Sequence, residues 1–190
     1  MRIMIFFVVS NDAIPPCPIC QGSLKYRDCK QRIMKQAGGT KQWLCIRRFK
    51  CTTCERLYNE LPDCLVPYKH YNSEIIQDVI VHEEALSDEL FNTDYDEYPC
   101  YETMLRWLRW FNQNLANING LLRKAAIFIG CMNDGTAPLL DTIQDHTDRW
   151  LCAVLRMIYN SGGYLPAVYD RYWCTYFILP VMMPDGIVAI

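Results

Sequence analysis

The sequence predicts an α+β protein: a small β zinc ribbon followed by a mainly α-helical domain with a helix-turn-helix-like segment. Three observations carry that expectation. Two Cys-x-x-Cys pairs, Cys17/Cys20 and Cys51/Cys54, enclose a basic, strand-like stretch. From Ser73 onward, apolar residues recur at three- and four-residue steps, the period of a helix with one buried face. Charge is segregated along the chain, although the 190 residues carry a formal net charge of only −2. Hydrophobic residues at 51% and charged residues at 21%, with nine Gly and ten Pro, exclude a disordered, collagenous or low-complexity chain.

The first element is a strand within the apolar run 3–9. It makes a poor signal peptide, because the run is short, a single Arg precedes it, and Pro15-Pro16-Cys17 stands where a small-residue cleavage site would be. No stretch reaches the roughly 18 apolar residues of a membrane span. Eleven Cys are an odd count in a chain long for a disulfide scaffold, so a reducing cytoplasm is the expected setting.

Next come the paired cysteines. Two Cys separated by two residues fit one tight turn, and two such turns supply the tetrahedral thiolate set that Zn²⁺ prefers. Cys17, Cys20, Cys51 and Cys54 are therefore the predicted ligands of one structural Zn²⁺. A closed four-thiolate shell has no open position for water, and its binding energy would supplement a core that forty residues cannot build alone. The alternatives are a redox Cys-x-x-Cys or unrelated buried thiols, and Cys29 or Cys45 could replace one ligand. Between the pairs, residues 24–34 and 42–50 read as strands joined by the turn Ala37-Gly38-Gly39-Thr40.

Residues 17–58 carry ten bases against Asp28 and Glu55, a net +8, whereas residues 59–103 carry twelve acids against Lys69 alone. The basic block is a plausible footprint for a polyanion, or a ribbon that neutralises its acidic neighbour in cis. The Lys and Arg of the ribbon, chiefly Arg47, Arg48, Lys50 and Arg56, are the predicted phosphate contacts.

A proline-containing connector through Tyr71 closes the first unit, residues 1–71. The second, residues 72–190, divides into the helix-turn-helix-like 73–124 and a helical, aromatic part, 125–190. Ser73 is the predicted cap of a helix with Ile75, Ile76, Val79 and Ile80 on its apolar face. After an acidic stretch, Tyr101, Met104, Leu105, Leu108, Phe111, Leu115, Ile118 and Leu122 form the stripe of a longer helix. Thr103, Arg106, Arg109 and Gln113 share its other face, and the first three are the predicted base-edge contacts, as on a recognition helix. Leu140, Ile143, Trp150, Leu151, Val154, Leu155 and Ile158 continue helically to a stop at Ser161-Gly162-Gly163. With Trp107, Trp110 and the tail aromatics Tyr169, Tyr172, Trp173, Tyr176 and Phe177 they are expected to form a helical core.

The elements Cys17-Pro18-Ile19-Cys20, Tyr26-Arg27-Asp28, Ile46-Arg47-Arg48-Phe49-Lys50-Cys51, Pro67-Tyr68-Lys69-His70-Tyr71 and Arg106-Trp107-Leu108-Arg109-Trp110-Phe111 together resemble an uncharacterised family of Gram-positive bacteria with an N-terminal transposase-like zinc ribbon. The resemblance covers about residues 1–125 and is densest over 46–71. It implies a zinc ribbon and a helix-turn-helix-like segment related to the DNA-binding front ends of mobile-element proteins. The family carries His where Tyr58 stands, small polar residues at Cys100 and Tyr101, and a basic residue at Leu105.

A transposase needs an acidic triad for two-metal phosphoryl transfer, yet no Glu follows Glu102. Asp141, Asp145 and Asp148, with His146 beside them, are the nearest substitute, and they read as ordinary acids in the early turns of a helix. The expectation is a non-catalytic, cytoplasmic, duplex DNA-binding protein without membrane attachment. A zinc-stabilised protein-interaction module is the alternative, docking a protein partner or a second copy through the acidic segment or the aromatic C-terminal part. A degenerate transposase fragment comes last.

Overall fold

The computed structural model describes residues 3–6, 14–83, 99–129, 139–166 and 177–179. It is α+β, with five strands and four α-helices among these residues. Strand β1 spans Ile3–Phe6, β2 Leu24–Lys35, β3 Lys41–Cys51 and β4 Leu57–Pro62. Helix α1 spans Ser73–Val81, α2 Tyr101–Ile129, α3 Leu139–His146 and α4 Trp150–Asn160, and β5 is Phe177–Leu179.

The hairpin β2–β3 is the longest pairing, running antiparallel from Leu24 opposite Cys51 to Lys35 opposite Lys41, with a bulge between Tyr26 and Asp28. Its turn falls at Ala37–Gly39, where Gly38 and Gly39 take positive φ that a Cβ would resist. β3 pairs β4 antiparallel, and β4 also pairs β1 and β5, both parallel. The two parallel partners correct the reading of the tail: Phe177 lies in a strand paired with β4, not in a helix. Tyr169, Tyr172, Trp173 and Tyr176, like the acidic stretch 84–98, lie outside the described residues.

Three helix details differ from expectation. The cap of α1 is Asn72, whose side-chain oxygen accepts from the Glu74 N–H, while Ser73 is buried in the first turn and its hydroxyl donates to the Asp63 carbonyl. On α2, Leu115 is 39% exposed and Asn114 is buried instead, its amide donating to the Trp110 carbonyl. The apolar run after residue 139 is two helices. Gln77 of α1 intervenes at the break, donating to the Asp148 carbonyl at 2.6 Å and accepting from the Leu151 N–H at 3.0 Å, so it satisfies a donor in the first turn of α4. The glycine stop is as expected, with Gly162 at φ +80° and the Gly163 N–H bonded to the Ile158 carbonyl.

The described residues do not show the helix-turn-helix, and residues 84–98 lie outside them. Residues 82–100 separate α1 from α2, where that motif joins its helices by about three or four residues. The described residues instead form one continuous buried cluster. It reaches from Cys17, Met34, Phe49 and Tyr58 through Leu65 and Ile76 to Trp107, Phe111, Trp150 and Ile158. Trp107 and Trp110 are buried in it, and the Trp110 indole N–H donates to the Pro166 carbonyl. Among the described residues no helix is long and apolar enough to cross a membrane.

Candidate metal centre and the basic hairpin

The cysteine pairs meet at one end of the sheet because Leu24, just past the first turn, pairs with Cys51, at the start of the second. The second pair forms the β3–β4 turn. The first precedes β2 in an irregular segment. The two turns are nonetheless built alike. The Cys17 N–H donates to the Gly22 carbonyl and the Cys51 N–H to that of Arg56. Gln21 and Glu55, each directly after the second Cys of its pair, take φ of +59° and +58°. Thr52 stitches the turns together, donating to the Ser23 carbonyl from both its N–H and its hydroxyl.

The four sulfurs lie within 4.8 Å of one another, with Cys17 to Cys54 at 3.7 Å and Cys20 to Cys51 at 3.5 Å. Four thiolates about 2.3 Å from a tetrahedral ion stand about 3.8 Å apart, so the residues fit a metal. The surroundings of Cys51 and Cys17 favour thiolate. Burial pushes the Cys51 thiol up, but the backbone N–H groups of Cys54 and Thr53 outweigh it and hold it down at about 6. Burial likewise opposes ionisation of Cys17, and the Tyr58 hydroxyl, donating to its sulfur at 2.7 Å, leads the groups that bring it below the usual thiol value. At Cys20 the Gly22 backbone lowers the thiol, yet burial and the three neighbouring sulfurs drive it up to about 12. Four anionic sulfurs cannot share this space without a cation among them. A closed shell of this kind would supply rigidity and no reacting position.

The remaining thiols separate clearly. Cys29 and Cys45 are exposed on the hairpin, outside the cluster. Cys64 and Cys152 are buried; burial pushes the Cys64 thiol up to about 12, and Cys152 donates to the Asp63 carbonyl. Among the described residues the four cysteines are the one group with metal-ligand geometry. Asp141, Asp145 and Asp148 do not converge, and Asp148 lies beyond the end of α3.

The predicted phosphate contacts are largely engaged within the chain. Arg47 makes a two-pronged ion pair with Glu60, a carboxylate only 3% exposed, and stacks over Phe49. Arg48 pairs with Asp28 in the same way, and these bonds hold the Asp28 carboxyl below the usual carboxylate range. Lys50 lies 3.6 Å from Glu55, and Arg56 is partly buried beside the second metal turn. On α2, Arg106 and Arg109 are exposed as predicted; Arg106 donates to the Glu102 carbonyl, and Thr103 is half-buried with its hydroxyl at the Cys100 sulfur. Lys25, Lys30 and Lys41, counted in the basic block of the sequence, are exposed on the hairpin and without an ion pair among the described residues. Acids adjacent across the strands single out Arg47 and Arg48, which leaves these lysines as the available charge.

A family model described as a domain of unknown function, DUF6431, matches residues 17–107, from the first cysteine of the cluster into α2. No curated protein and no solved structure matches the chain.

Proposed function

We propose that the protein is a non-catalytic, zinc-stabilised DNA-binding protein in which the four-cysteine site fixes a cationic hairpin against a helical body. The supporting observation is the coincidence of two metal turns with a hairpin whose exposed Lys25, Lys30 and Lys41 have no ion-pair partner among the described residues. Zinc is the ion of choice, because four thiolates in a tetrahedral shell suit it and require no redox change. On the hairpin these lysines meet phosphates, while Arg47, Arg48 and Lys50 chiefly hold its shape. Arg106 and Arg109 on the exposed face of α2 approach the grooves. The resemblance to mobile-element front ends agrees with this reading, with DNA as the partner and a cytoplasmic setting.

Gel shifts with zinc-loaded protein test it. Binding should be clear at 50 mM salt and lose about a thousand-fold in affinity by 200 mM for about six phosphate contacts. Absence of both duplex and single-strand binding at low salt overturns the reading. A protein-interaction role has its own supporting observation: Tyr26 and Trp43 are 57% and 64% exposed on the hairpin. It would appear as a co-purifying protein and no salt-dependent DNA affinity.

A further inference from the structure

The register of β2 against β3 gives the hairpin two distinct faces. Met34 and Ile46 lie on one of them and are buried. Tyr26 and Gln31 of β2 share the other with Lys41, Trp43, Cys45 and Arg47 of β3, because Tyr26 stands opposite Phe49, Gln31 opposite Cys45, and alternate residues of β3 point the same way. All six are exposed, Trp43 at 64% and Tyr26 at 57%. A solvated strand face ordinarily carries polar side chains. Here two large rings stand on it with the uncharged Gln31 and Cys45 between them.

Each ring has a cation beside it on the same face. Lys41 precedes Trp43 by two residues, about 7 Å along the strand, and makes no ion pair among the described residues. The Tyr26 ring meets Phe49 edge to face with 6.0 Å between centroids, and the Arg47 guanidinium lies 5.6 Å from the centre of the same Phe49 ring. Tyr26 thus rests on a buried anchor while its own ring stays open to a ligand. Between Leu24 and Cys51 the chain has nine bases and one acid, Asp28, which is bound to Arg48 on the opposite face.

This chemistry selects the occupant. Lys is depleted from the cores of protein interfaces, whereas a cationic surface bearing aromatic rings is how an unpaired nucleic-acid strand is held, its bases stacked on the rings. In a duplex the faces of the bases are covered by their neighbours. Trp43 lies six positions along β3 from Phe49, the partner of Tyr26, so the two rings stand about 20 Å apart and take separate bases of one strand.

We infer that this face of the hairpin binds single-stranded nucleic acid, with one base stacked on Trp43, another on Tyr26, and Lys41 at a phosphate beside Trp43. The inference deepens the DNA-binding reading and rests on it for the phosphate contacts; the stacking contacts are its own. Its test is fluorescence anisotropy of the zinc-loaded full chain at about 50 mM salt. The probes are labelled oligo(dT) and oligo(U) of about 12 nucleotides, a duplex of the same length, and an abasic strand with the same phosphates and no bases. Oligo(dT) should bind about ten-fold or more tighter than the abasic strand, and tighter than the duplex. Trp43→Ala and Tyr26→Ala should each weaken oligo(dT) binding about five-fold or more and leave the abasic strand unaffected. Trp43→Phe, which keeps a ring, should retain most of the affinity. The ratio of oligo(U) to oligo(dT) affinity tells RNA from DNA as the strand preferred. Equal affinity for oligo(dT) and the abasic strand, duplex binding as tight as single-strand binding, or alanine variants that bind oligo(dT) as well as the parent would each overturn the inference and leave the DNA-binding reading standing. Absence of binding to every probe would overturn both.

Discussion

Gly22 has no room for a side chain. A Cβ there would stand 2.3 Å from the Thr53 hydroxyl oxygen and 2.8 Å from its Cβ, with the Cys20 sulfur at 3.3 Å, so the two metal turns approach each other through this residue. Its φ is not left-handed, and the constraint is purely steric. Gly22→Ala should therefore cost about 1–3 kcal/mol of unfolding free energy in the metal-loaded protein. Thr53→Gly in the same chain should recover most of that loss. An undiminished loss in the double variant, read from urea melts, contradicts the contact. The cysteines themselves were legible in the sequence, because a two-residue spacing is local chemistry. The fates of Arg47 and Arg48 were not, because Glu60 and Asp28 reach them only through strand register, and the bulge after Tyr26 decides which β2 side chains share a face with β3.

At the level of elements, the hairpin and its turn were readable from strand-forming residues around a Gly-Gly pair, and both strands extend one residue or more beyond the expected limits. The helices were readable by period but not by their ends. Asn72 displaces Ser73 as cap because the Ser73 hydroxyl is drawn to the Asp63 carbonyl, and a buried Gln77 marks the gap between α3 and α4. Such contacts join residues far apart in the chain and leave no periodic trace. The connector carries a pH dependence. Burial lowers the Lys69 ammonium to about 8, Arg106 adds to the shift, and Nζ sits 5.1 Å from the Trp110 ring centre. An unfolded lysine titrates near about 10.4. Between these values the unfolded chain holds more protons, so stability should rise from about pH 8 to pH 10. Lys69→Met should flatten that rise and be the more stable protein at pH 7, as measured by urea midpoints with zinc present. Parallel profiles for the two proteins would contradict the burial of this charge.

For the molecule as a whole, the buried cluster crosses from the sheet into all four helices. Ser73, Asp63 and Cys152 bind α1, the connector and α4 into one polar knot. The +8 segment was visible in the sequence as a count, but its distribution was not. Pairing within the chain neutralises several of its arginines and leaves charge on Lys25, Lys30 and Lys41. The β5 pairing was missed because a three-residue strand carries too little pattern to stand out from an aromatic tail. Both the DNA reading and the rigidity of the hairpin depend on the four sulfurs holding an ion. Zinc-edge X-ray absorption on protein purified without added metal tests that dependence most directly. One zinc per chain with four sulfurs at about 2.3 Å is the predicted shell. A shell containing nitrogen or oxygen ligands, or protein that folds with no zinc bound, would contradict it.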